Sequence, residues 1–136
     1  MRAVWLAAWI GLAGCDGGTT TKDTGGGTSD APTFTRVNDE VLKPSCAISA
    51  CHAAGTTAPL ELAAGSEHAA LVGVDSEDAP GEVLVVAGDA DASYLVAKLE
   101  DAAGIAGSPM PPPFGGLDPA DIQLIRDWID AGALDD

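Results

Sequence analysis

The stretch LDPADIQLIRDWIDAGA, residues 117 to 133, constrains the fold more than any other part of the chain. Asp118 stands at an N-cap, Pro119 at the first helical position and Asp121 in the first turn, where they suit the helix start and its dipole. Ile122, Ile125 and Ile129 then recur on one stripe, flanked by Leu124 and Trp128, and Gly132 supplies a stop. Such a stripe has to be buried against something. The chain must therefore offer other apolar faces to cover it.

Those faces are short. FTRVNDEVLKPSC places Phe34, Val37, Val41 and Leu42 at helical spacing, with Pro44 expected to end the helix. GSEHAALVGV predicts a second helix with Ser66 as its N-cap. DASYLVAKLED predicts a third, capped by Asp91, with Tyr94, Leu95 and Leu99 as its apolar face. GEVLVVAGD is β-branched but isolated, so it predicts an extended segment or small hairpin rather than a sheet. Trp128 reads as core. Tyr94 reads as core too, with its hydroxyl reaching a backbone group or a cofactor's edge. His68 is expected on a helix surface. The fold class expected is all-α: one small domain, residues 34 to 136, with long loops. A core this small invites a cofactor or a crosslink as an additional organiser.

The residues before this domain have a different character. MRAVWLAAWIGLAGC carries Arg2 and then an apolar run too short to cross a bilayer, which takes about 20 apolar residues. This is a secretory signal pattern. Its end, Leu12-Ala13-Gly14-Cys15, resembles the lipobox of bacterial lipoproteins. That resemblance implies removal of residues 1 to 14 and acylation of Cys15. The protein is then expected outside the cytoplasm, lipid-anchored to a bacterial membrane and facing the periplasm or cell surface. Residues 15 to 33 form a linker: of the 18 residues from Asp16 to Thr33, 11 are Gly or Thr. A segment of this kind buries too little surface to order itself.

Without residues 1 to 14 the chain carries 5 basic against 21 acidic residues. This excludes binding to nucleic acid or electrostatic adhesion to anionic lipid. It suits solubility, or a partner with a basic face.

With Cys15 lipidated, two cysteines remain, in PSCAISACHAAG. Cys46 and Cys51 are separated by four residues, and His52 follows at once. In a Cys…Cys-His haem site each thiol joins a porphyrin vinyl group and the histidine reaches the iron. Ala47 to Ala50 are small enough to bulge outward while His52 stays beside the second cysteine. Other chemistries compete. A Cys46–Cys51 disulfide suits an exported protein. A zinc site has few further ligands to draw on. A thiol redox pair normally has two intervening residues.

Met110 lies in SPMPPPFGG, 58 residues after His52. Pro109, Pro111, Pro112 and Pro113 fix φ and remove backbone donors, so this loop should be stiff. A stiff loop presenting one thioether suits a distal iron ligand, although filling a core gap is methionine's commoner use.

The order of these pieces, CAISACH, VAGDADASYLVAKL, then MPPP and LDPADIQLIRDWIDAGA, resembles the cytochrome c-like domains of the planctomycete cytochrome type. Gly88, Asp89, Ser93, Tyr94 and Leu95 match one motif of that family, with Ala87 where it has proline. Met110 and Pro111 match a second. Ile125, Trp128, Ile129, Gly132 and Ala133 match a third. The four-residue cysteine spacing departs from the usual pattern. The resemblance implies one haem c, with Cys46 and Cys51 as thioether links, His52 as proximal and Met110 as distal iron ligand. It implies an electron carrier rather than an enzyme, monomeric, passing electrons to a redox partner protein. A peroxidase would need the Met110 loop displaced. The same fold without haem, stapled by a Cys46–Cys51 disulfide, is the alternative.

Overall fold

The computed structural model describes residues 31 to 112 and 116 to 136. The expected signal sequence, Cys15 and the expected linker up to residue 30 lie outside the described residues, as does Pro113.

The fold is small and helical, and among the described residues its β-structure is confined to isolated bridges. Helix α1, Phe34–Val37, starts at Thr33, whose Oγ1 accepts the Arg36 N–H at 3.3 Å. It runs directly into a π-wound segment, Asn38–Cys46. Pro44 does not end this helix at its own position. A proline has no N–H to give and its ring crowds the carbonyl one turn back. The wider π turn accommodates this change, and the Ala47 N–H closes it on the Leu42 carbonyl at 2.8 Å. Cys46 is thereby held at the end of a rigid element.

Helix α2, Glu67–Leu71, has Ser66 at its N-cap position. The Ser66 hydroxyl does not cap; it donates to the Ala63 carbonyl at 3.0 Å. Buried Glu67 accepts the Gly65 N–H at 2.7 Å instead, which bends the chain into the helix. Helix α3, Tyr94–Leu99, has Ser93 and not Asp91 at its N-cap position, with no side-chain cap bond. Its first donors are met by the preceding extended segment: Tyr94 N–H bonds the Val83 carbonyl and Leu95 N–H the Leu84 carbonyl, each at 2.9 Å. Asp91 pairs with Arg126, whose other nitrogen holds Glu100 at 3.1 Å. Arg126 of the last helix thus brackets α3.

Helix α4, Pro119–Asp130, has Asp118 as N-cap, its carboxylate accepting the Ala120 N–H at 2.9 Å. It ends in a Schellman arrangement: Ala133 N–H bonds the Trp128 carbonyl and Gly132 N–H the Ile129 carbonyl. Gly132 sits at φ 112°, a left-handed region that favours glycine. Ile125, Trp128 and Ile129 are buried in one core cluster with Phe34 and Val37 of α1, Val41 of the π-wound segment, and Val96 and Leu99 of α3. The apolar stripe read from the sequence is covered in this way.

His68 departs from the expected surface position. It is half-buried, its Nε2 lies 2.8 Å from the Ala133 carbonyl, and its ring meets Phe34 edge-on with centroids 5.0 Å apart. The carbonyl can only accept, so Nε2 carries the proton. The GEVLVVAGD segment is extended, bridging Val85 to Val72 in parallel and Val83 to Asp75 antiparallel.

Candidate functional site

Residues of α3, and none of α4, line a cavity of about 390 Å3, within the range of small-molecule sites. Its walls are largely aliphatic: Leu42, Leu60, Leu62, Leu71, Leu84, Leu95 and Leu99 contribute. Cys46, Cys51, His52 and Met110 line this same cavity. Four residues from two distant parts of the chain are brought together on one surface. His68 is not among them; its half-buried ring lies edge-on to Trp128, with centroids 6.0 Å apart.

The cysteine loop is ordered by its own backbone. His52 N–H bonds back to the Cys46 carbonyl at 3.1 Å, and the Ile48 carbonyl accepts from Cys51 at 2.9 Å and Ala53 at 3.3 Å. The extra residues are folded into a tight turn with Ile48, Ser49 and Ala50 exposed. Cys46 and Cys51 are separate free thiols. Burial pushes the Cys46 thiol up to about 11, with the neighbouring Cys51 adding to the effect. A thiol in this setting stays protonated at neutral pH.

His52 is oriented by a contact that no sequence pattern signals. Its Nδ1 lies 2.8 Å from the Leu60 carbonyl, and Leu62 N–H returns to the His52 carbonyl at 2.6 Å. Because a carbonyl only accepts, Nδ1 must carry the hydrogen. The neutral ring therefore keeps its lone pair on Nε2, the arrangement of a histidine prepared to bind a metal.

Met110 is half-buried and anchored by its backbone, donating to the Lys98 carbonyl at 2.8 Å. Tyr94 is core, as expected, and its hydroxyl reaches a backbone group: Oη accepts the Ala106 N–H at 2.8 Å. Lys98 was not singled out in the sequence, yet its ammonium donates to the carbonyls of Ala106 and Ser108 at 2.7 and 2.5 Å. The signal that could have found it is its spacing. Lys98 follows Tyr94 by one helical turn, so the two share a face and can reach the same loop.

Among the described residues no three His, Cys, Asp or Glu side chains converge as a metal-binding group. A structural zinc site takes four protein ligands, and no such set is assembled among the described residues. Iron held in a porphyrin asks less of the protein, because the macrocycle supplies four nitrogens and only axial ligands remain. One imidazole, one thioether and two thiols on largely aliphatic walls fit a group of that kind.

No family model matches the chain, and no curated protein or solved structure is similar to it.

Proposed function

We propose that this protein is a lipid-anchored c-type cytochrome that carries one covalently attached haem and transfers electrons outside the cytoplasm. The observation that carries this reading is the lining of a single aliphatic cavity by Cys46, Cys51, His52 and Met110, with His52 pinned through Nδ1. Cys46 and Cys51 would hold the haem by thioether bonds, His52 would be the proximal ligand and Met110 the distal one. The bound haem supplies a one-electron couple at its iron.

The chain's own residues do the rest. The Leu60 carbonyl fixes the His52 tautomer and makes the imidazole a better donor. The π-wound segment and the turn at Ile48 hold the two sulfurs. The leucine walls exclude water, which favours the less charged, reduced state and raises the potential. With His52 and Met110 both holding the iron, no position would be left for a substrate, so the protein would act as an electron carrier and not as an enzyme. The acidic exterior suits a redox partner with a basic face, through weak and salt-sensitive docking. The lipobox-like sequence at Cys15 supports the anchor.

The test is expression in a host with haem-attachment machinery, followed by absorbance and intact mass. A Soret band with a low-spin spectrum, and the mass of one haem carried by Cys46 and Cys51, is expected. The absence of haem, with the two cysteines in a disulfide, would overturn the proposal in favour of a stapled module without a cofactor.

A further inference from the structure

Among the described residues the basic side chains are Arg36, Lys43, Lys98 and Arg126. Arg36 pairs with Glu40, Lys43 with Asp39, and Arg126 with Asp91 and Glu100. Lys98 behaves differently. In a chain with 21 acidic residues its ammonium is bonded to two neutral carbonyls, Ala106 and Ser108. Its own carbonyl receives the Met110 N–H. One residue thus grips three alternate positions of a single loop, residues 106, 108 and 110, while bordering the cavity that Met110 lines. Besides Lys98, the Tyr94 hydroxyl holds the start of this loop by accepting the Ala106 N–H at 2.8 Å, but it does not reach residues 108 or 110. Pro109 and Pro111 have no N–H, and Gly107 sits at φ 69°. An ammonium offers three donors, and bonds to it are stronger than neutral ones.

We propose that Lys98 is a positioning residue for Met110, fixing the loop so that the thioether stays on the iron, and that its charge at the cavity edge raises the reduction potential. This rests on the haem reading above. A cation beside the site favours the state with one more electron. Loss of the clamp frees the loop to move Met110 away.

The experiment uses the haem-loaded protein with Lys98→Gln and Lys98→Arg. It reads the methionine-to-iron charge-transfer band of the oxidised form, the rate of cyanide binding, and the midpoint potential. Lys98→Gln is expected to keep full haem content, weaken the band, lower the potential and bind cyanide about tenfold faster, in line with the loss of a charge-assisted bond. Lys98→Arg, which keeps a cation with donors, should recover most of each property. To separate this from folding, the folded holoprotein carrying Lys22→Arg and Lys43→Arg is acetylated, which removes the Lys98 charge after folding; the same three changes are expected. Unchanged band, potential and cyanide rate in both Lys98→Gln and the acetylated protein would overturn the positioning role while leaving the cytochrome reading intact. Wild-type protein without haem would overturn both.

Discussion

The imidazole of His52 and the carbonyl of Leu60 meet at 2.8 Å, and this bond decides which ring nitrogen is free to bind a metal. It joins a residue of the cysteine motif to a loop eight positions later. The orientation of the His52 ring is therefore a property of the fold around it and not of the motif alone.

If His52 and Met110 hold a haem iron as proposed, their loss should have different consequences. Met110→Ala should leave haem attached and His52 bound, but convert the spectrum from low-spin to high-spin and lower the potential. His52→Ala should reduce the yield of haem-loaded protein itself. Absorbance and redox titration of both variants check this.

Alkali should destabilise the haem-free protein through Cys46. The folded thiol titrates at about 11 and an ordinary one at 9.0. Between those values the folded state keeps a proton that the unfolded state has lost, so stability falls as pH rises. The contribution is complete below about pH 9 and is lost as pH rises toward 11, worth about 2–3 kcal/mol at most. Urea unfolding of reduced protein at pH 8 and pH 10.5 should show a larger decline for the parent than for Cys46→Ala. In the haem-loaded protein the sulfur is a thioether and this difference should vanish.

Trp128→Ala should destabilise the protein by about 3–5 kcal/mol. The ring is almost wholly buried beside Phe34, with centroids 5.3 Å apart, and its Nε1 donates to the Leu134 carbonyl at 2.9 Å. Denaturant unfolding measures the loss. Trp128→Phe should recover much of it, but not the hydrogen bond.

Ser93→Ala should cost about 1–3 kcal/mol although only one oxygen is removed. That hydroxyl, buried at 1 % exposure, accepts the Val86 N–H at 2.9 Å and donates to the Asp89 carbonyl at 2.8 Å. Its loss strands a donor under the segment that caps α3. Thermal unfolding of the variant checks this, and Ser93→Thr should retain most of the stability.

Much of the helical architecture was readable because it depends on nearest neighbours along the chain. Asp118, Pro119 and Gly132 mark the ends of α4 by backbone chemistry that acts within one turn, and the 3.6-residue period of Ile125, Trp128 and Ile129 marks its buried face. The chemical types of the candidate site were readable for the same reason: Cys46, Cys51 and His52 fall within seven residues of one another, and Met110 stands alone among prolines.

What the sequence by itself determined, then, was local: which segments wind into helices, which face each must bury, and which side chains carry reactive atoms. Only the tertiary structure decided the long-range matters. It took His68 from the expected surface into contact with Phe34 and Trp128, gave the start of α3 to Val83 and Leu84 in place of Asp91, and carried the helix past Pro44 by widening its turn. It also brought Met110 to the cavity lined by His52, 58 residues away, and set Leu60 and Lys98 to hold them. The physical reason is that carbonyl groups, which do most of this holding, are the same in every residue. No sequence pattern marks which of them will be close enough to accept a bond.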